Sequence, residues 1–349
     1  MADADSPRPA AHAVRTIANV ADDAIALADL IAQGQPVILK GAARDWPLVR
    51  AGLDSPEAAA AMLRAADAGH PVVGYVGDPA IRGRFHYTPD ATGMNFTTER
   101  APLGSFLDRI LATQGDPAAP SIYLGSTDLG TYFPELRAAN DIVPSDGSFD
   151  RHPPTASIWI GNRTTAATHW DMSDNMAVCV AGRRRFTLFP PDQVGNLYPG
   201  PIDPTPAGQV VSMVDLAAPD LERYPRFADA LASAMVAELE PGDVLVYPAL
   251  WWHHVEALSA FNILVNFWWN AAPDYLDTPM TTLLHGILSL RDRPDHEKQA
   301  WRSLFDHYLF APADQARAHL ADAAQGPLAP LDAVMARRLR ALIANRINR

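Results

Sequence analysis

Thr168-His169-Trp170-Asp171 and, much further along, Trp251-Trp252-His253-His254 carry side-chain types that hold metal ions. Successive side chains of an extended strand point to opposite faces, so His169 and Asp171 share one face and Trp170 turns to the other. One imidazole from the second stretch would complete a cap of two His and one carboxylate. Such a cap leaves three adjacent positions open on an octahedral ion, the geometry of non-haem Fe(II) oxygen chemistry. His253 and His254 are adjacent, so only one of them can face the ion. Alternation alone does not say which.

A third stretch, Gly182-Arg183-Arg184-Arg185-Phe186-Thr187-Leu188-Phe189, places Arg184 on the same face as Phe186 and Leu188. A guanidinium facing a core needs an anionic or strongly polar partner, because an unpaired buried charge costs several kcal/mol. A dicarboxylate with a 2-oxo acid end on the metal and its far end on Arg184 would satisfy both groups. The plainer alternatives are an Arg184 that reaches solvent or pairs with a protein carboxylate. Asn175 and Asn266 are amides set among apolar strand residues. They are expected to face a polar cavity or to bond to backbone.

The elements that must position these residues read as short strands. Residues 122–124, 157–160, 176–180, 185–189, 209–213, 244–247 and 263–268 are strand candidates separated by Gly, Pro, Asn and Asp turns. That spacing predicts an antiparallel sandwich or jelly roll. A small-residue loop is expected over 164–168 and a helical insertion over 227–239. Before this core, residues 1 to about 15 read as a flexible leader. Helices follow over 21–33, 55–68 and 103–113, and strands over 36–40, 72–76 and 84–87. After Pro273 helices take over, about 276–291, 295–310, 313–324 and 330–347. The chain is therefore expected to comprise N-terminal α/β elements extending the core (1–119), a β core (120–272) and a C-terminal helical region (273–349). The last helix lines up Leu331, Val334, Met335, Leu339, Leu342, Ile343 and Ile347 in one apolar stripe. Such a stripe either packs within its own domain or meets a second chain.

Composition narrows the function classes. Of the 349 residues 48% are hydrophobic, enough for a sizeable core. A net charge of −12 leaves no basic excess to displace counterions, so nucleic acid is not expected as a partner. Cys179 is the single cysteine, which fits a reducing compartment. No signal-peptide pattern and no run long enough to span a membrane is seen, so a cytoplasmic protein without membrane attachment is expected.

In their order along the chain, these motifs resemble the cupin-like JmjC oxygenase family. They comprise Thr168 to Asp171, Asn175, Gly182 to Pro191, Leu197-Tyr198-Pro199, Pro241-Gly242-Asp243 through Val255, and Val265 to Trp268. The likeness covers about residues 120–272. It implies a mainly β chain with helices, whose core is a double-stranded β-helix (a jelly roll). It further implies an Fe(II)- and 2-oxoglutarate-dependent dioxygenase that uses O2 to hydroxylate a peptide or protein side chain or a small molecule. By resemblance the metal ligands are His169, Asp171 and His253, the first His of Trp-Trp-His-His. Arg184 takes the place of the Lys that usually holds the distal carboxylate of 2-oxoglutarate. Asn175, Asn266, Tyr123 and Thr168 match other cosubstrate positions, and Ala166 stands where a Thr is usual. Tyr87, Trp252 and Trp268 are candidates to meet the substrate. A family member pairs through its C-terminal helices, which favours a homodimer. The alternatives are a cupin metalloenzyme without 2-oxoglutarate and a non-catalytic cupin binding module.

Overall fold

The computed structural model describes residues 12–347 apart from 19, 21–23 and 207. Its strands are β1 (His12–Ala13), β2 (Arg15–Ile17), β3 (Val37–Leu39), β4 (Val72–Gly77), β5 (Arg84–Phe85), β6 (Phe96–Ala101), β7 (Ser121–Asp128) and β8 (Thr155–Gly161). They continue with β9 (Thr165–Trp170), β10 (Asp174–Ala181), β11 (Arg184–Phe189), β12 (Met235–Leu239), β13 (Val244–Tyr247), β14 (Trp252–Ala257) and β15 (Asn262–Trp269). Two sheets result. The smaller runs β1-β12-β11-β14-β9-β5, and the larger runs β2-β3-β13-β10-β15-β8-β7-β4-β6. The chain is mainly β with helices, a jelly roll with a helical C-terminal region.

Alternation sorts each strand between two cores. On β10 and β15, Met176, Val178, Val180, Ile263, Val265 and Phe267 face the helical side. There they meet Leu48, Val49, Leu63, Phe106 and Ile110 from the helices Pro47–Asp54, Pro56–Ala66 and Leu103–Ala112. The intervening Ala177, Cys179 and Leu264 turn inward and pack with Phe186, Leu188 and Val255 of the smaller sheet. The second core therefore lies between the sheets, and any side chain of the inward register joins it.

The turn Pro241-Gly242-Asp243 anchors the strand that leads to the second metal-binding stretch. The Asp243 carboxylate is buried and accepts from Lys40 Nζ at 2.7 Å, the Gly41 amide at 2.9 Å and the Glu240 amide at 2.8 Å. Gly242 has φ +93°, and a Cβ there would meet the Arg44 backbone at 2.9 Å. Only glycine fits both demands.

Several expectations change. Residues 12–13 and 15–17 are strands rather than leader, held by parallel pairing with β12 and β3; residues 1–11, and 21–23 of the first helix, lie outside the described residues. Residues 165–170 form β9 rather than a loop, because β14 supplies an antiparallel partner. The helical insertion stops at Ala232, and 235–239 pair with β11 as β12. Residues 209–213 make only isolated bridges, Val211 to His169 and Ser212 to Pro199. Residues 313–324 carry turns ending in a short 3-10 helix. The strand Phe96–Ala101 has no counterpart in the sequence reading.

The chain divides after Asn270 into two compact units. In the second, the helices Pro279–Leu290 and Asp295–Phe305 bury no residue, and Ala333–Ile347 buries only Ala336. Among the described residues no helix is long and apolar enough to cross a membrane.

Candidate metal centre and cavity

β9 and β14 are antiparallel neighbours with His169 directly opposite His253. Their rings lie 4.2 Å apart between centroids. Asp171 follows β9 and stays on the His169 face. Its backbone carbonyl accepts from the Leu250 amide at 2.8 Å, which ties it to the turn that feeds β14. One ligand atom from each of His169, Asp171 and His253 lies within 4.8 Å of the others.

The imidazoles are oriented by backbone. His169 Nδ1 lies 2.7 Å from the Ala167 carbonyl, and His253 Nδ1 lies 3.0 Å from the Trp251 carbonyl. A carbonyl can only accept, so each Nδ1 carries the proton and each Nε2 keeps a lone pair for a metal. Burial, then the neighbouring His169, pushes the His253 pKa down to about 4. Its imidazole is therefore neutral at pH 7, the form that ligates. His254 points to the opposite face, its Nδ1 3.3 Å from the Thr168 hydroxyl. Strand alternation thus supplies the physical reason for separating His253 from His254.

A cavity of about 210 Å³ opens between the sheets at this triad. The larger sheet contributes Tyr123, Trp159, Asn175, Tyr247, Asn266 and Trp268, and the smaller Phe85, Thr165, Phe186 and Val255. Asn266 Oδ1 accepts from Trp159 Nε1 at 2.7 Å, which aims the amide along the wall. Asn175 Nδ2 lies 3.4 Å from Asp171 Oδ2, while its own Oδ1 has no partner.

Arg184 is 2% exposed, so it does not reach solvent. Among the described residues no carboxylate holds it: its Nε and Nη2 lack partners, and burial lowers its pKa. Its contacts run to Tyr123, a cavity residue whose phenol burial pushes up to about 12. A neutral tyrosine thus stands between the cavity and a charged group without a counterion. The donor set suits a divalent ion at one end and an anion at the other.

Residues 23–275 match the model of the cupin-like domain. The chain belongs to this cupin-like, JmjC-type family. HSPB1-associated protein 1 of Bos taurus is 32% identical over 46% of this chain and 34% of its own length. tRNA wybutosine-synthesizing protein 5 of Danio rerio is 33% identical over 42% of this chain and 41% of its own. Lysine-specific demethylase JMJ31 of Arabidopsis thaliana is 30% identical over 35% of this chain and 23% of its own. The matched stretch thus spans about a third of the first of these relatives.

Not every candidate residue of the cupin-like core reaches the cavity. Trp268 lines it. Trp252 is turned outward by the same alternation that turns His253 inward, and packs with Phe189, Leu197 and Phe227. Tyr87 packs with Ala167 and Val211, and its hydroxyl donates to the Pro204 carbonyl at 2.8 Å. Thr168 shares the outward face with His254. Arg184 approaches the cavity only through Tyr123. Conversely, Tyr75, Trp159 and Tyr247 line the cavity without having been singled out. Extending alternation from Val244-Leu245-Val246 and from Ile158 would have placed Tyr247 and Trp159 inward.

A segment outside both sheets braces the triad. Val211 bridges to His169, and the Ser212 amide donates to the Thr168 carbonyl at 2.7 Å. His86 Nε2 lies 3.0 Å from the Ser212 carbonyl. Burial, then the Arg84 charge, pushes the His86 pKa down to about 4. Below the ordinary His pKa of about 6.5 the unfolded chain takes up protons that folded His86 and His253 refuse until about pH 4. The metal-free protein should therefore lose stability as pH falls through that window, by on the order of 3 kcal/mol per histidine at full extent. Melting temperature measured from pH 7 to pH 4.5 should fall steadily, with a shallower fall for His86→Gln. A flat profile would contradict the two depressed pKa values.

Proposed function

We propose that this chain is an Fe(II)- and 2-oxoglutarate-dependent dioxygenase that hydroxylates a peptide or protein side chain or a small molecule. One observation carries the reading: an open-faced His-Asp-His triad shares the space between the sheets with a buried arginine that has no carboxylate partner. The bound Fe(II) and oxo acid would supply the activation of O2 that no side chain provides. His169, Asp171 and His253 hold the metal, with both imidazoles kept in the ligating tautomer by backbone carbonyls. Arg184 and Tyr123 receive the distal carboxylate, and Asn175 and Asn266 steady the oxo acid along the wall. The aromatic lining excludes water from the reacting end.

The substrate class follows from the mouth. A surface groove lined by Pro153, Thr155, Met172, Ser173, Trp269 and Asn270 shares Asp171, Gln209 and Trp268 with the cavity. Among the described residues neither lining includes a Lys or Arg. A phosphate backbone would find no cation there. We therefore favour a peptide, protein side chain or small molecule over nucleic acid, although one relative is named for tRNA. We further propose a cytoplasmic setting, which Cys179, a single buried cysteine, fits.

We also propose that two copies pair through the C-terminal helices. Leu284, Leu288, Phe310, Leu342, Ile343 and Ile347 stay exposed within a unit that buries little of its own surface. A second copy offers a matching apolar face. Light scattering on the purified chain should give twice the chain mass, and Leu342→Glu with Ile343→Glu should halve it. A monomeric wild-type chain would refute the pairing.

The metal assignment is tested by equilibrium Fe(II) binding under anaerobic conditions. Wild type and His254→Ala should each bind one ion per chain, whereas His169→Ala should lose at least a hundredfold in affinity. Full retention by His169→Ala would overturn the assignment.

A further inference from the structure

Tyr247 carries a phenol on the cavity wall, beside the triad, that the proposed site does not use. It ends β13, where Val244 and Val246 face the helical side and Leu245 and Tyr247 turn inward. Its ring centroid lies 5.0 Å from that of His253, and it stands opposite Asn175 in the pairing with β10. It is 3% exposed, yet its hydroxyl forms no hydrogen bond among the described residues. A buried phenol ordinarily finds a partner, and this one opens only into the cavity. Asn175 Oδ1, also buried and unpartnered, lies at the same end.

Behind Tyr123, at the far end of the space, lie two further unpartnered atoms, Nε and Nη2 of Arg184. On β11 the two ends are marked by Leu188, opposite His253, and Arg184, opposite Ala257. Four residue steps of strand separate them, roughly 13 Å. Between them the lining is largely apolar, Phe186, Val255, Ala177 and Leu264, with the Asn266 amide opposite Ala177. The space thus has two polar ends and a mostly apolar waist. Two anionic ends joined by methylenes match it, and each end needs donors of its own.

Building on the proposed cosubstrate, we propose that Tyr247 holds the 2-oxo acid at the metal end, its phenol donating to the carboxylate nearest the metal. Arg184 and Tyr123 then serve the opposite carboxylate alone. Tyr247 accordingly acts on every 2-oxo acid, whereas Arg184 acts only on those with a second carboxylate.

Calorimetric titration of the full chain loaded with Mn(II) separates these roles, using 2-oxoglutarate and pyruvate as probes. Tyr247→Phe should weaken both about tenfold, the loss of one hydrogen bond to a charged acceptor. Arg184→Met should weaken 2-oxoglutarate at least tenfold and leave pyruvate unchanged. Mn(II) affinity and melting temperature of Tyr247→Phe should match wild type, which a mere packing role would not predict alongside the lost oxo-acid affinity. Wild-type binding of both probes by Tyr247→Phe would overturn the inference, as would a loss confined to 2-oxoglutarate or a parallel loss of Mn(II). Failure of wild type to bind 2-oxoglutarate would instead overturn the proposed cosubstrate.

Discussion

A guanidinium buried between two sheets without a carboxylate is the constraint on which the site depends. Isolating Arg184 in this way costs several kcal/mol by any realistic measure. The surrounding side chains do not offset that cost with charge. Tyr123 is a neutral phenol, and the other group that acts on the guanidinium is the buried thiol of Cys179. The space is therefore biased toward an anion before any ligand arrives, while its opposite end presents two imidazoles and a carboxylate that could hold a divalent ion. With a cation held there, both ends would attract carboxylates and only the metal end could chelate an oxo group, which would give one elongated ligand a fixed direction.

The scaffold converts strand register into that arrangement. Cross-strand pairing sets His169 against His253, and the next pairing sets His253 against Leu188, on the same inward face as Arg184. A one-residue slip of β14 would exchange His253 for His254 or Trp252 and dismantle the triad. Register is held from outside the sheets as well. The Asp243 turn fixes the start of β13, the Leu250 amide ties Asp171 to the approach of β14, and the segment around Val211 and Ser212 closes over β9.

Much of this was legible in the sequence because its signal has period two. Alternation in His169-Trp170-Asp171 and in Arg184-Arg185-Phe186 put His169 and Asp171 on one face and Arg184 toward the core, where the structure has them. The choice of His253 came from resemblance, and alternation along β14 now explains it. What the sequence hid was long-range pairing. The small residues 165–168 look like loop until β14 is placed beside them, and 235–239 look helical until β11 is. Tyr87 and Trp252 were drawn toward the mouth by their aromatic character alone. Strand parity turns Trp252 outward, and Tyr87 is held by packing on Ala167 and Val211 and by its bond to the Pro204 carbonyl. The C-terminal helices were legible as helices, since amphipathic spacing is local, but the turns of 313–324 were not.

In the proposed site the triad and Arg184 together hold one oxo dicarboxylate. Visible absorption of the anaerobic Fe(II) protein during titration with 2-oxoglutarate tests it most directly. A charge-transfer band should grow to saturation at one equivalent per chain and be absent with glutarate, which lacks the oxo group. A spectrum unchanged by 2-oxoglutarate, in protein shown to hold Fe(II), would contradict it.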